Sequence, residues 1–400
     1  MIPDGRAGPD PADAPATLDA ATRGDTGTVD ATTTVDAAEL YAEAAAAAPA
    51  LLDAVRARYT AAGADALLVT APANVRYLSG FTTPADGRVL VSNDGAWLLT
   101  DDRYTVQAAD ESWIVEQVIA RDWLPRVAEL VSGQTLAFEA EHLTVAQRGA
   151  LEQHLQRAAV PTEGLLRPLR MRKRAFEIAW LREAARLTDD VLTRVVAETL
   201  LPGVRELDVA LELERALRAA GADGTSFEII VASGPRSAMP HGVASTRPIE
   251  AGELVTIDLG ARLSGYHSDL TRAFGVGRIP QPLRDWYDAV LAAQRAALAA
   301  LAPGVTGQAV DALARERLAE FGLSEHFTHS LGHGTGLEIH EGPSLSSRSS
   351  DTLEPGMVVT VEPGVYLPGQ GGVRIEDLVL ITTDGHEVLS HSPKGYPEVG

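Results

Sequence analysis

The sequence contains no cysteine. That absence removes thiolate catalysis, disulfide cross-links and every metal site built on sulfur. A metal held by this chain is therefore held by oxygen and imidazole, a donor set that selects harder or borderline ions. Basic side chains are the second shortage: 34 of them stand against 55 acidic residues, a formal charge of −21. A field of that sign repels phosphate backbones and anionic lipid, so no nucleic-acid partner and no membrane partner is expected. Long apolar runs are missing too. None approaches the roughly 20 residues of a membrane-spanning helix, no segment reads as a secretory signal, and the compartment these absences suggest is the cytoplasm. What remains describes a globular chain of 400 residues, 45% apolar and 22% charged, long enough for two or three domains with buried cores.

Residues 1–38 are almost entirely Ala, Asp, Thr, Gly and Pro, with seven aspartates against Arg6 and Arg23. Too few large apolar groups are present to fold such a segment alone, and a flexible acidic tail is expected. From Glu39 a helical pattern runs through Arg58, followed by a strand at 66–70 and an extended stretch at 74–81. Strands at 88–92 and 96–100 meet at Asn93-Asp94-Gly95, a hairpin signal. These features predict a small α/β domain over 39–165. The basic run containing Arg170, Arg172, Lys173 and Arg174 reads as a solvated linker into a helix at 175–200.

The second half carries an internal repeat. Pro202-Gly203-Val204 and Pro303-Gly304-Val305 each precede an amphipathic helix. Ala251-Gly252-Glu253-Leu254-Val255-Thr256-Ile257-Asp258 aligns with Pro355-Gly356-Met357-Val358-Val359-Thr360-Val361-Glu362 at an offset of 104. Two α/β halves related by a pseudo-twofold axis follow from that pattern. Strand parity places Thr256 and Asp258 on one face, with Val255, Ile257 and Leu259 on the other. A simple hairpin across 261–265 predicts Asp269 beside Asp258, and the second copy offers Glu362 and Glu376 in the same way.

Four carboxylates on buried strands are costly unless they protonate or bind cations. His333, bracketed by Gly332, Gly334 and Gly336, supplies a further ligand, and His340 lies shortly after it. Asp258, Asp269, His333, Glu362 and Glu376 together make an oxygen-dominated set suited to two divalent cations about 3.5 Å apart.

Those segments, Thr256-Ile257-Asp258-Leu259-Gly260, Ser268-Asp269-Leu270-Thr271-Arg272, Gly332-His333-Gly334-Thr335-Gly336, His340-Glu341-Gly342-Pro343, Val361-Glu362-Pro363-Gly364 and Gly372-Val373-Arg374-Ile375-Glu376-Asp377, resemble those of the pita-bread metallopeptidases. Within that family they look most like the proline peptidases, the Xaa-Pro dipeptidases and Xaa-Pro aminopeptidases. Asn74-Val75-Arg76-Tyr77-Leu78-Ser79-Gly80-Phe81 is similar to a segment of that branch's smaller N-terminal domain.

The resemblance implies an α+β fold: a pita-bread catalytic domain over 166–400 after the smaller α/β domain. It implies Asp258 as a terminal ligand, Asp269 and Glu376 shared by two ions, and His333 and Glu362 completing the second. His241 and His340 are implied to bind substrate and stabilise the tetrahedral intermediate, with Glu362 as proton shuttle. Arg374 is expected to orient Glu376 or to meet a substrate carboxylate. Mn²⁺ is the expected ion, with Zn²⁺ or Co²⁺ as alternatives, the substrates are Xaa-Pro peptides, and a homodimer is implied. Dipeptidase is the first reading, aminopeptidase the second, and a non-catalytic binding module a remote third.

Overall fold

The structure, a computed structural model, describes residues 36–114, 116–394 and 398–399. The acidic segment ahead of residue 36 lies outside them. Asp36 opens the first helix, α1 (Ala37–Ala61), by accepting hydrogen bonds from the N–H groups of Ala38 and Glu39. Ala44, Ala48, Leu51, Val55 and Tyr59 recur at helical spacing and form its buried stripe.

Six strands follow among short helices: β1 (Ala66–Val69), α2 (Pro72–Ser79), β2 (Arg88–Ser92), β3 (Ala96–Thr100), α3 (Thr105–Glu111), β4 (Glu116–Ile119), α4 (Leu124–Leu130), β5 (Leu136–Glu139), α5 (Val145–Leu155) and β6 (Val160–Thr162). They form one mixed sheet in the order β4-β3-β2-β1-β5-β6. Leu67 and Val69 of β1 join one apolar cluster while Ala66 and Leu68 join another, so the sheet is buried on both faces. The hairpin expected around Asn93-Asp94-Gly95 forms, with Leu90 opposite Trp97.

Two local expectations are corrected. Residues 74–81 are not extended: Pro72 starts a helix over 72–79, and Gly80, at φ 77°, ends it. Val75, Tyr77 and Leu78 read as strand formers, but here they lie in a helix that is buried all round over 75–79, and tertiary packing overrides propensity. The basic run is not a solvated linker either. Arg170 lies in a short helix, α6 (Arg167–Met171), and both Arg170 and Lys173 are buried against Glu341, while Arg172 alone stays exposed as expected. A buried carboxylate draws the two cations inward, because alone it would carry the cost of desolvation unmatched.

The rest of the chain is two versions of one theme. The helix pair α7 (Ala175–Thr199) and α8 (Glu206–Ala219) precedes β7 (Gly224–Thr225), β8 (Ile230–Ser233), β9 (Glu253–Leu259), β10 (Ala261–Leu263), β11 (Tyr266–His267) and β12 (Leu270–Val276). The pair α9 (Gln281–Ala300) and α10 (Gly307–Ala319) precedes β13 (Gly332–Gly334), β14 (Glu341–Leu345), β15 (Val358–Val361), β16 (Gly364–Leu367), β17 (Gly371–Arg374), β18 (Asp377–Ile381) and β19 (His386–Val388). A last short strand, β20 (Glu398–Val399), adds to the first of the two sheets, whose order is β20-β12-β9-β8; the second reads β14-β13-β15-β18-β19.

Each sheet lays an apolar face on its own helix pair. Val255, Ile257 and Leu259 pack with α7 and α8, and Val359, Val361, Val379 and Ile381 pack with α9 and α10. The alternate residues are thereby turned toward the space between the sheets. Among the described residues no helix is long and apolar enough to cross a membrane.

Candidate metal centre

The pairing register decides which acids meet. β9 and β12 run antiparallel with Thr271 opposite Asp258 and Leu270 opposite Leu259. Asp269 precedes β12, so it lies on the same face as Asp258 but diagonal to it. This corrects the simple hairpin: the chain leaves β9 through β10 and β11 before returning, and that detour gives Thr271 the place expected for Asp269. In the second sheet Val361 of β15 faces Asp377 of β18. One further step of that register brings Glu362 opposite Glu376.

All four carboxylates and His333 line one cavity of about 490 Å³, together with His241, His329, His340 and Arg374. Ligand-capable atoms of Asp269, His333 and Glu376 lie within 4.8 Å of one another. The His333 Nε2 atom is 3.3 Å from Glu362 Oε1 and 3.6 Å from Asp269 Oδ2. Its other nitrogen, Nδ1, donates to the Gly334 carbonyl at 3.0 Å. A carbonyl only accepts, so the proton sits on Nδ1 and Nε2 turns a lone pair toward the acids. Burial also holds the ring below the usual imidazole range, which keeps it neutral. Thr360 braces the group, accepting from the His333 backbone N–H at 3.0 Å and donating to Glu362 Oε1 at 3.1 Å.

Charge at the centre is unbalanced. Four carboxylates face one guanidinium, that of Arg374. Burial first, then the other acids, push Asp269 and Glu376 far above the usual carboxylate range. Burial chiefly pushes Glu362 up to about 7. Burial opposes the charge of Arg374 as well, but Tyr366, Asp258, Glu362 and Glu376 outweigh it and hold the guanidinium ionised. Asp258 Oδ1 and Glu376 Oε1 are buried with no hydrogen-bond partner among the described residues. Orphaned carboxylate oxygens beside a free imidazole lone pair, in a set three negative charges in excess, fit two divalent cations.

Arg374 makes no direct bond to Glu376. Its Nη2 donates to Asp258 Oδ2 at 2.6 Å and its Nε to Thr271 Oγ1 at 3.0 Å; the threonine in turn donates to Glu376 Oε2 at 2.7 Å. Its Nη1 donates to the Pro240 carbonyl at 3.0 Å and to the Tyr366 hydroxyl at 2.8 Å. His241 follows Pro240 at the cavity mouth, and the His340 ring meets His333 edge to face at 4.4 Å.

Sequence reasoning passed over His329 and Tyr366. Tyr366 donates to His329 Nε2 at 2.9 Å, while His329 Nδ1 donates to the Ser330 carbonyl at 2.8 Å. Burial and then Arg374 push His329 down to about 4, so this histidine is an acceptor throughout the neutral range. Parity was the available signal, since Tyr366 stands four residues after Glu362 on the same side.

Residues 179–383 match the model of metallopeptidase family M24, and residues 52–172 match the creatinase/prolidase N-terminal domain. The chain belongs to metallopeptidase family M24. The mixed sheet of the first half and the two facing helix–sheet units of the second are the N-terminal domain and the pita-bread domain of such M24 proteins. An Xaa-Pro dipeptidase of Pyrococcus furiosus is 37% identical over 331 residues, 82% of this chain and 94% of that protein. Among solved structures, an Xaa-Pro dipeptidase from Bacillus anthracis is 43% identical with a TM-score of 0.85, covering 88% of this chain and all of the other. An X-Pro aminopeptidase from Thermotoga maritima is 36% identical with a TM-score of 0.80, covering 84% of this chain and 98% of its own. An M24 peptidase is a hydrolase that works with divalent metal ions, and the cavity holds a donor set for them.

Proposed function

We propose that this M24 peptidase is an Xaa-Pro dipeptidase with two divalent ions in the cavity. The observation that carries the reading is the set of four carboxylates and His333 around two orphaned oxygens, Asp258 Oδ1 and Glu376 Oε1. Asp258 would hold one ion as a terminal ligand, Asp269 and Glu376 would be shared, and His333 and Glu362 would complete the other. Mn²⁺ is the ion proposed, with Zn²⁺ and Co²⁺ as the comparison. Such a pair of cations supplies a polarised carbonyl and a water acidic enough to attack near neutral pH.

The chain's own groups do the rest. His241 and His340 bind the substrate from the cavity wall and donate to the oxyanion as the carbonyl carbon becomes tetrahedral. Glu362 takes the proton released by the attacking water at its carboxylate and passes it to the imide nitrogen of the leaving proline. Arg374 keeps Asp258 in place and ties the Pro240-His241 loop to it. Phe227, Ile230, Val243 and Ile339 line the same cavity and offer apolar surface to a pyrrolidine ring, which lacks an N–H and fixes φ. In the same reading the chain divides near residue 165, with every proposed ligand in 166–400, works as a homodimer, and resides in the cytoplasm.

A panel of Xaa-Pro, Xaa-Pro-Yaa and Xaa-Ala peptides, run after loading with each ion, tests the proposal. Cleavage confined to Xaa-Pro is the expected result. The likeness to the Thermotoga maritima X-Pro aminopeptidase favours the second reading, and comparable kcat/KM on Xaa-Pro-Yaa would establish that reading instead.

A further inference from the structure

The basic run at 170–174 is used nowhere in the chemistry above, yet two of its cations are among the most buried in the chain. Lys173 is 1% exposed at its side chain and Arg170 9%, and both pair with Glu341, itself 8% exposed. Lys173 Nζ stands 2.8 Å from Glu341 Oε1, and Arg170 Nη2 pairs with Glu341 Oε2 and with Glu338 Oε2 at 2.7 Å. Burial works against the charge of Glu341, but Lys173 and Arg170 outweigh it and hold the group below the usual carboxylate range.

Glu341 directly follows His340 and opens β14, where it pairs with Gly334 of β13. A register shift occurs in β13 between His333 and Gly334, so backbone pairing alone fixes this corner poorly. The ion triad supplies the missing restraint. It also reaches the first sheet: Arg170 Nη1 donates to Asn74 Oδ1 at 2.9 Å, Asn74 Nδ2 donates to Glu139 Oε1 at 2.5 Å, and Glu139 Oε2 accepts from the N–H groups of Thr70 and Ala71. A continuous polar chain thus runs from the end of β5 to the residue beside His340.

We propose that Lys173 and Arg170 are positioning residues that set the place of the His340 imidazole through Glu341, anchoring it to the N-terminal sheet by way of Asn74 and Glu139. The proposal rests on the reading of His340 as a substrate-binding group. Its physical basis is that a carboxylate held by two buried cations has one place to be, and the adjoining backbone inherits that place.

The test is a double-mutant cycle between Lys173→Met and His340→Ala in the metal-loaded protein, with kcat, KM and metal content measured for each. Lys173→Met is expected to lower kcat/KM at least tenfold with two ions per chain retained, and to cause no further loss, within twofold, once His340 is Ala. Multiplied losses in the double variant, an unchanged kcat/KM in Lys173→Met, or loss of metal would overturn the clamp. Full activity of His340→Ala would instead overturn the reading of the site. Should Lys173→Met not fold, Arg170→Lys keeps the charge and loses the fork to Asn74 and Glu338. Its loss, at least threefold, is expected to vanish in the same His340→Ala background, and persistence there would equally refute the proposal.

Discussion

Glu362 is the residue whose replacement best separates chemistry from architecture. Its carboxyl faces His333 and Thr360 and is pushed up to about 7 chiefly by burial. Glu362→Gln keeps the size and one acceptor but not the proton-carrying group. A fall in kcat of about 10²–10⁴ is expected, with circular dichroism unchanged; activity within tenfold of the parent would refute the role. His241→Ala is the milder companion, because that ring is exposed at the cavity wall and in the proposed reading bears on substrate alone. It should lower kcat/KM by about tenfold to a hundredfold on Xaa-Pro peptides while leaving metal stoichiometry intact, which elemental analysis of the purified variant checks. These residues could be picked out beforehand because metal and proton chemistry restrict the choice to a few side-chain types. Tyr366 carried only the weak signal of parity with Glu362 and His329 none, since a buried hydroxyl or imidazole is usually structural until its partner is known.

Elements carry these residues by register rather than by proximity in the chain. His333 reaches the carboxylates because β13 lies against β15, and a Cβ added at Gly332 would come within 2.0 Å of the Thr360 carbonyl oxygen. That neighbour is backbone and cannot move aside. Gly332→Ala is therefore expected to destabilise the protein by about 1–3 kcal/mol, as overpacked cores do, and to weaken metal binding. Thermal melts and metal titration read the two effects; a variant with parental melting and affinity would show that the strands are not held this closely. The strands of the repeat and the hairpin at 93–95 were legible in the sequence, because period-two alternation and turn residues are local signals. Residues 74–81 were misread since the same apolar residues serve a buried helix or a strand, and only packing against the sheet decides between them. The turn between β10 and β11 at Ser264-Gly265 is a local signal, but the register that sets Thr271 opposite Asp258 is decided only by pairing with β9.

For the molecule as a whole, the centre makes stability depend on metal and on pH together. Asp269, Glu376 and Glu362 all ionise later in the folded, metal-free protein than in the unfolded chain. Glu362 alone makes the folded state bind more protons than the unfolded state between the usual carboxylate range and about pH 7, and Asp269 and Glu376 act in the same direction. Stability from this source is fully present below the unfolded values and is lost as pH rises through the folded ones. Metal-stripped protein should accordingly melt lower at pH 8 than at pH 5.5, by about a few degrees. Ions bind the deprotonated ligands, so the gain in melting temperature on adding Mn²⁺ should grow over the same interval. Calorimetry with and without chelator at both pH values checks this. A metal-induced gain that shrinks toward pH 8 would contradict the arrangement of the centre.

Composition and pattern by themselves determined a good deal: with no cysteine, a metal site had to be made of carboxylate and imidazole, and a repeat at an offset of 104 had to bring two such strands together. The family followed from side-chain types at fixed spacing, which are properties of the chain alone. The tertiary structure decided what those residues touch. Arg374 binds Asp258 and reaches Glu376 only through Thr271, and the basic run turns inward to Glu341. The physical reason is common to both cases. A buried charge is satisfied by whichever partner the packed strands bring within hydrogen-bond reach, and that geometry exists only after long-range pairing has formed.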